Sequence, residues 1–201
     1  MFALNVICGY FSFYSHKGGT EYRGLLRRAS YVAAGDRGRM SRQAGAWETD
    51  GFHGQRPDLP EPQIERPELL GAAVDALRAH DRAIAITGPG GAGKTVLAAQ
   101  ACQERRLRRY YRDGIVWLEA SETRDPIEML AALAHRLGMT GAATSSATVQ
   151  QARELLQSAL AGKRLLLMVD NVVDRKLIDA LRDLPPTCTL MFTSRVTELA
   201  V

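Results

Sequence analysis

Residues 83–95 read Ala-Ile-Ala-Ile-Thr-Gly-Pro-Gly-Gly-Ala-Gly-Lys-Thr, and they restrict the possible fold more than the rest of the chain does. Ala83 to Thr87 form a short apolar run, as expected for a buried parallel strand. Gly88-Pro89-Gly90-Gly91-Ala92-Gly93-Lys94-Thr95 then fits the pattern G-x-x-x-x-G-K-[ST], and an alanine-rich helical pattern follows from Val96. The spacing has a chemical reason. Glycines let the backbone turn tightly, so that its N–H groups converge on phosphate oxygens without side chains in the way. Lys94 supplies a charge for the β- and γ-phosphates, and Thr95 supplies a hydroxyl for Mg²⁺. The following helix points the positive end of its dipole at the anion. A glycine-rich turn with no ligand would require neither the Lys-Thr ending nor the flanking strand and helix.

The pattern on either side of this loop indicates an α/β fold. Leu69, Leu70, Ala73, Val74 and Leu77 form a helical stripe before the first strand, and Val96, Leu97, Ala101 and Leu107 continue a helix after the loop to an arginine-rich end at Arg109. Further strands are expected near 115–118, 165–170 and 189–193. Asp125-Pro126-Ile127-Glu128 and Thr148 with Gln151 read as helix starts, and Pro185-Pro186 stops the helix carrying Leu177, Ile178, Leu181 and Leu184. Strands alternating with helices predict a parallel sheet covered on both faces.

Two further stations fall at the carboxyl ends of strands, where ligands collect in such sheets. Leu165 to Val169 is apolar at every position and ends in Asp170, which lies 76 residues after Lys94 and beyond another strand and two helices. A carboxylate in this place holds Mg²⁺, usually through water. Asn171 follows it. An asparagine cannot accept a proton as an acid would, although its carbonyl can orient a water, so slow turnover is expected. Thr193-Ser194-Arg195 closes the fourth strand, and a guanidinium there would read a γ-phosphate by paired hydrogen bonds. Alone, Arg195 would read as a solvent-facing residue opening a loop.

Charge and composition narrow the partners. The net charge of +4 belongs entirely to residues 1–56, which carry eight Lys/Arg against four acids, so the remainder is balanced. The nucleotide-binding body therefore has no global nucleic-acid footprint, and nucleic acid is not an expected partner. Three cysteines and four histidines are scattered, which suggests neither a disulfide framework nor a zinc site. No apolar run reaches the ~18 residues of a membrane span, and the reading is cytoplasmic. Residues 1–63 form a basic extension and linker, expected to be largely disordered; within it Phe2 to Tyr14 could form a strand and Glu21 to Ala34 a short helix.

Together these stations resemble the NB-ARC module of the STAND signalling ATPases, a P-loop NTPase group that includes plant disease-resistance proteins, apoptotic ATPases and bacterial regulators. The matching pieces are Gly88–Thr95 followed by Leu97-Ala98, Ile115-Val116-Trp117-Leu118, Leu165–Val172 and Thr189–Arg195. Upstream, Ile64-Glu65-Arg66-Pro67-Glu68-Leu69 is similar to the family segment that touches adenine. The resemblance covers residues 64–201 and implies that Gly88–Thr95 binds ATP or ADP, that Asp170 and Thr95 serve Mg²⁺, that Arg195 senses the γ-phosphate, and that Ile64 and Arg66 lie near the base. Glu65 stands where the family has glycine, and Asn171 stands where it has a second aspartate.

The family also leads one to expect a fifth strand beside the phosphate-loop strand, followed by helical and winged-helix parts. On that reading the domain is incomplete at its C-terminus, the phosphate-loop strand is a bare edge, and protein partners or self-association act through the missing parts. The function implied is an ATP/ADP switch in signalling or regulation, with slow or impaired hydrolysis. A non-catalytic interaction fragment, or a P-loop ATPase or kinase of another class, stands as the alternative.

Overall fold

The protein is described from a computed structural model covering residues 2–7, 10–15, 52–53, 59, 66–79, 83–120, 125–139 and 148–200. Its strands are β1 (Phe2–Ile7), β2 (Tyr10–Ser15), β3 (Phe52–His53), β4 (Ala83–Thr87), β5 (Ile115–Glu119), β6 (Leu166–Val172) and β7 (Thr189–Ser194). Its helices are α1 (Pro67–Arg78), α2 (Lys94–Gln103), α3 (Arg105–Tyr110), α4 (Pro126–Arg136), α5 (Val149–Leu160) and α6 (Arg175–Arg182), with a 3-10 turn over Thr197–Ala200.

Four apolar runs make the centre of the sheet. β4 pairs parallel with β7, β7 with β6, and β6 with β5. Every residue of β4 and β7 is buried, as a strand covered on both faces requires. The period of two then sorts side chains between two cores. Ala83, Ala85, Val116, Leu118, Leu167, Val169, Leu190 and Phe192 face one side, against α4, α5 and α6. Ile84, Ile86, Ile115, Trp117, Leu166, Met168 and Met191 face the other, against α1, α2 and α3. Each large apolar side chain so buried contributes about 1.5–3 kcal/mol relative to exposure.

The helices begin as their sequences dictate. The Asp125 carboxylate accepts from the Ile127 N–H at 2.7 Å with Pro126 in the first turn, and the Thr148 hydroxyl accepts from the Gln151 N–H at 3.2 Å. Asp174 caps α6 through the Lys176 N–H at 2.9 Å. One expectation fails. The helix after the phosphate loop does not run unbroken to Arg109 but bends at Glu104, whose ψ of 122° leaves the helical region. The break turns α3 inward so that Leu107 and Tyr111 are both buried, and the Tyr111 hydroxyl donates to the Leu77 carbonyl on α1 at 2.7 Å. Tertiary burial here outweighs the local preference for one continuous helix.

The sheet order is β2-β1-β4-β7-β6-β5-β3. The bare edge expected at the phosphate-loop strand is therefore occupied: β1 lies parallel to β4, with Phe2 opposite Ile84 and Asn5 opposite Thr87, and β2 returns antiparallel outside it. Residues 2–7, Phe-Ala-Leu-Asn-Val-Ile, are mostly of the types that favour pleated, half-buried positions, and pairing satisfies the N–H and C=O groups that β4 would otherwise present. Ile64, Glu65 and the expected helix over 21–34 lie outside the described residues. Among the described residues, no helix is long and apolar enough to cross a membrane.

Candidate nucleotide-binding site

The parallel order places the ends of β4, β6 and β7 side by side at the carboxyl edge of the sheet. Gly88 leaves β4 there, and its N–H donates to the Ser194 carbonyl of β7 at 3.2 Å. The loop then turns through Gly91 (φ 74°) and Gly93 (φ 82°), left-handed conformations that side chains resist. Gly93 is also the N-cap of α2 and supplies no capping side chain, so the first N–H groups of that helix are left to face the loop's concavity.

Three cations converge on this loop. Lys94 donates from its ammonium to the Pro89 carbonyl at 2.8 Å, across the loop. The Arg195 guanidinium lies beside Gly90, where an added Cβ would come within 3.8 Å of its carbon. Arg66, the residue before α1, donates to the Ala92 carbonyl at 2.8 Å, and its guanidinium stands 3.7 Å from where a Cβ on Gly93 would sit. Burial lowers the Lys94 pKa from its ordinary value, and the nearby Arg195 charge lowers it further, with Asp170 opposing. Like charges brought this close favour a multivalent anion between them.

Asp170 stands opposite, only 8% exposed. The Thr95 hydroxyl donates to its carboxylate, 2.9 Å from Oδ2 and 3.1 Å from Oδ1. The Thr193 hydroxyl donates to Oδ1 from the other side. Asn171 then takes φ of 59°, the one positive value at a non-glycine residue among those described, and β6 slips its register against β7 between Val169 and Val172. Asparagine tolerates this conformation better than most residues. Its N–H donates to the Thr193 hydroxyl at 2.8 Å.

Among the described residues no three His, Cys, Asp or Glu side chains gather to hold a metal. A buried carboxylate beside a threonine hydroxyl nonetheless suits Mg²⁺, a hard cation that keeps several waters and uses one or two carboxylates together with phosphate oxygens.

The arrangement brings together Gly88 to Thr95, Arg66, Asp170, Asn171 and Arg195; Ile64 lies outside the described residues. Sequence reading passed over Thr193 and Ser194, taking them as the end of a strand. Hydroxyls at two successive positions of a fully buried run were the available signal, because a buried hydroxyl needs a partner.

The NB-ARC domain matches residues 69–201. The chain belongs to the NB-ARC family. It is also 31% identical over 116 residues to regulatory protein AfsR of Streptomyces griseus, a stretch that covers 56% of this chain and 12% of AfsR. The chain thus spans a small part of the length of that relative. As an NB-ARC domain it is a nucleotide-binding module of the signalling and regulatory type, and the P-loop fold expected from the strand and helix pattern is the one observed.

Proposed function

We propose that this NB-ARC domain is an adenine-nucleotide switch that distinguishes ATP from ADP and hydrolyses ATP slowly. The observation that carries the reading is the convergence of Lys94, Arg195 and Arg66 on one glycine loop, with the buried Asp170 carboxylate near Lys94 and bonded to Thr95. Loop amides and Lys94 hold the β-phosphate in either nucleotide state. Arg195 adds its contact only when a γ-phosphate is present, and this is the differential contact a switch needs. Thr95 and Asp170 would hold Mg²⁺, which would supply charge neutralisation to the β- and γ-phosphates. Arg66 steadies the loop through the Ala92 carbonyl, and the adenine is the part of the nucleotide that Arg66 and Ile64 are proposed to serve.

Asn171 sets the speed. It occupies the left-handed turn directly after Asp170, a position at which a carboxylate could accept a proton from the attacking water. An amide orients water without taking the proton, so turnover is slow and the triphosphate state persists. Adenine specificity, the cytoplasmic setting and action through protein partners belong to the same reading.

The test is direct. Purified protein with Mg²⁺ is expected to bind ADP and ATP, to hydrolyse ATP well below the ~1 per second at which ordinary enzymes begin, and to gain rate in Asn171→Asp. Turnover at or above that rate in the unaltered chain would refute the slow switch.

A further inference from the structure

Five buried polar side chains occur among the described core positions, and Thr193, 1% exposed, is bonded on both sides of the Asp170–Asn171 turn. We propose that Thr193 is a positioning residue for the cation: its hydroxyl presets the Asp170 carboxylate and locks the left-handed turn at Asn171. The inference rests on the nucleotide-site reading above and adds a residue to it.

The geometry is specific. A hydroxyl has one hydrogen to donate and lone pairs to accept with. Thr193 gives that hydrogen to Asp170 Oδ1 and accepts the Asn171 N–H at 2.8 Å. One atom on β7 therefore sets both a side-chain rotamer and a backbone turn on β6. Thr95 approaches the same carboxylate from the loop, nearer to Oδ2. The carboxylate plane is thus held from two elements, and the loop-side hydroxyl belongs to the motif that serves the cation. The residue type matters as well. A β-branched side chain in a strand is stiff about χ1, so its hydroxyl is aimed before any ligand arrives.

The neighbour completes the support. The Ser194 hydroxyl donates to the Val172 carbonyl at 2.6 Å and accepts from the Val196 N–H at 2.9 Å, while its carbonyl accepts from Gly88. The end of β7 therefore ties together the loop, the carboxylate turn and the bend at which Arg195 departs. Removing an outer partner of a metal-binding carboxylate characteristically costs 10–100-fold in metal affinity.

The experiment is a Mg²⁺ titration of nucleotide binding, with a non-hydrolysable ATP analogue as the probe and an EDTA arm for binding without metal. Thr193→Val keeps the shape and removes the hydroxyl. It is expected to need at least tenfold more Mg²⁺ for half-maximal effect, to keep its EDTA-arm affinity within about twofold, and to speed hydrogen exchange at the Asn171 amide. Thr193→Ser is expected to restore the Mg²⁺ requirement. An unchanged requirement in the valine variant overturns the proposal, and so does an equal loss of affinity with and without metal. If the valine variant does not fold, Thr193→Ala is read by the same two arms. Failure of the unaltered chain to bind the analogue in either arm would instead overturn the nucleotide-site reading, and this proposal with it.

Discussion

The two ends of the sheet are built differently. At the carboxyl end, Thr87, Asp170, Thr193 and Ser194 are buried polar residues, clustered where β4, β6 and β7 stop. At the amino end, Thr189 and the Tyr111 hydroxyl are buried polar groups, and helix α3 keeps Arg105, Arg106 and Arg109 in solvent. Here the Tyr111 hydroxyl ties α3 to α1, and Arg164 lies 4.7 Å over the Tyr110 ring. A buried polar group left unpaired costs about 1–3 kcal/mol. The carboxyl end carries that risk at four positions and satisfies it with a mesh of hydroxyl bonds; the amino end carries it at the Tyr111 hydroxyl, which is paired, and at the buried Gln103 Nε2, which among the described residues is left without a partner. The clustered polar groups of the carboxyl end suit a ligand, and the packing of the amino end suits cohesion.

If that division is right, substitutions at the two ends should move different observables. The largest effect is expected from Lys94→Ala at the carboxyl end. Its ammonium bonds the Pro89 carbonyl at a partly exposed position, so the melting temperature of the free protein should change little while nucleotide affinity falls at least ~100-fold, about 2.7 kcal/mol. Isothermal titration with ADP checks both halves when paired with a melt. Next comes Tyr111→Phe at the amino end. The Leu77 carbonyl loses its donor in a buried place, which should cost about 1–3 kcal/mol and lower Tm by roughly 3–10 °C. ADP affinity should stay as it was. A Tyr111 variant that lost nucleotide binding without losing stability would break the division.

Arg195→Ala should have a smaller and selective effect. ATP is expected to weaken by about tenfold, as befits one lost charge-assisted contact, and ADP by much less. Equal loss for both nucleotides would remove Arg195 from its sensing role. The smallest effect concerns pH. Lys94 is held below the ordinary lysine value of 10.5 by burial and then by Arg195. Anion binding needs the charged form, so affinity is present below the lowered pKa and is lost as pH rises through it. Arg195→Ala removes one of the two causes, and the alkaline limb of the ADP affinity profile should move upward. A limb that stayed in place would show that the two cations do not feel each other.

The sequence carried the ligand-facing end better than the rest because its signals are local. Gly88 to Thr95 is one continuous stretch, and both Asp125 and Thr148 cap the helix that begins beside them. What escaped depends on contacts distant in the chain. Glu104 breaks a helix because Leu107 and Tyr111 must reach α1, about thirty residues earlier. β1 stands beside β4, some eighty residues away, so an edge that looked bare is paired. Thr193 matters because it meets Asp170 and Asn171 across a strand pair; the successive hydroxyls of Thr193 and Ser194 announce buried partners but not which ones. Arg195 could be read either way until its guanidinium was seen against Gly90.

A switch of this kind requires that the carboxyl end of the sheet grip a nucleotide. Thermal unfolding with and without ADP and Mg²⁺ tests that most directly. Nucleotide at roughly 100 times its Kd adds about 2.7 kcal/mol to stability, which in a protein of this size should raise Tm by about 5–10 °C, and Lys94→Ala should abolish the rise. An unaltered chain that melts at the same temperature with saturating ADP or ATP and magnesium as without them would contradict the account at its centre.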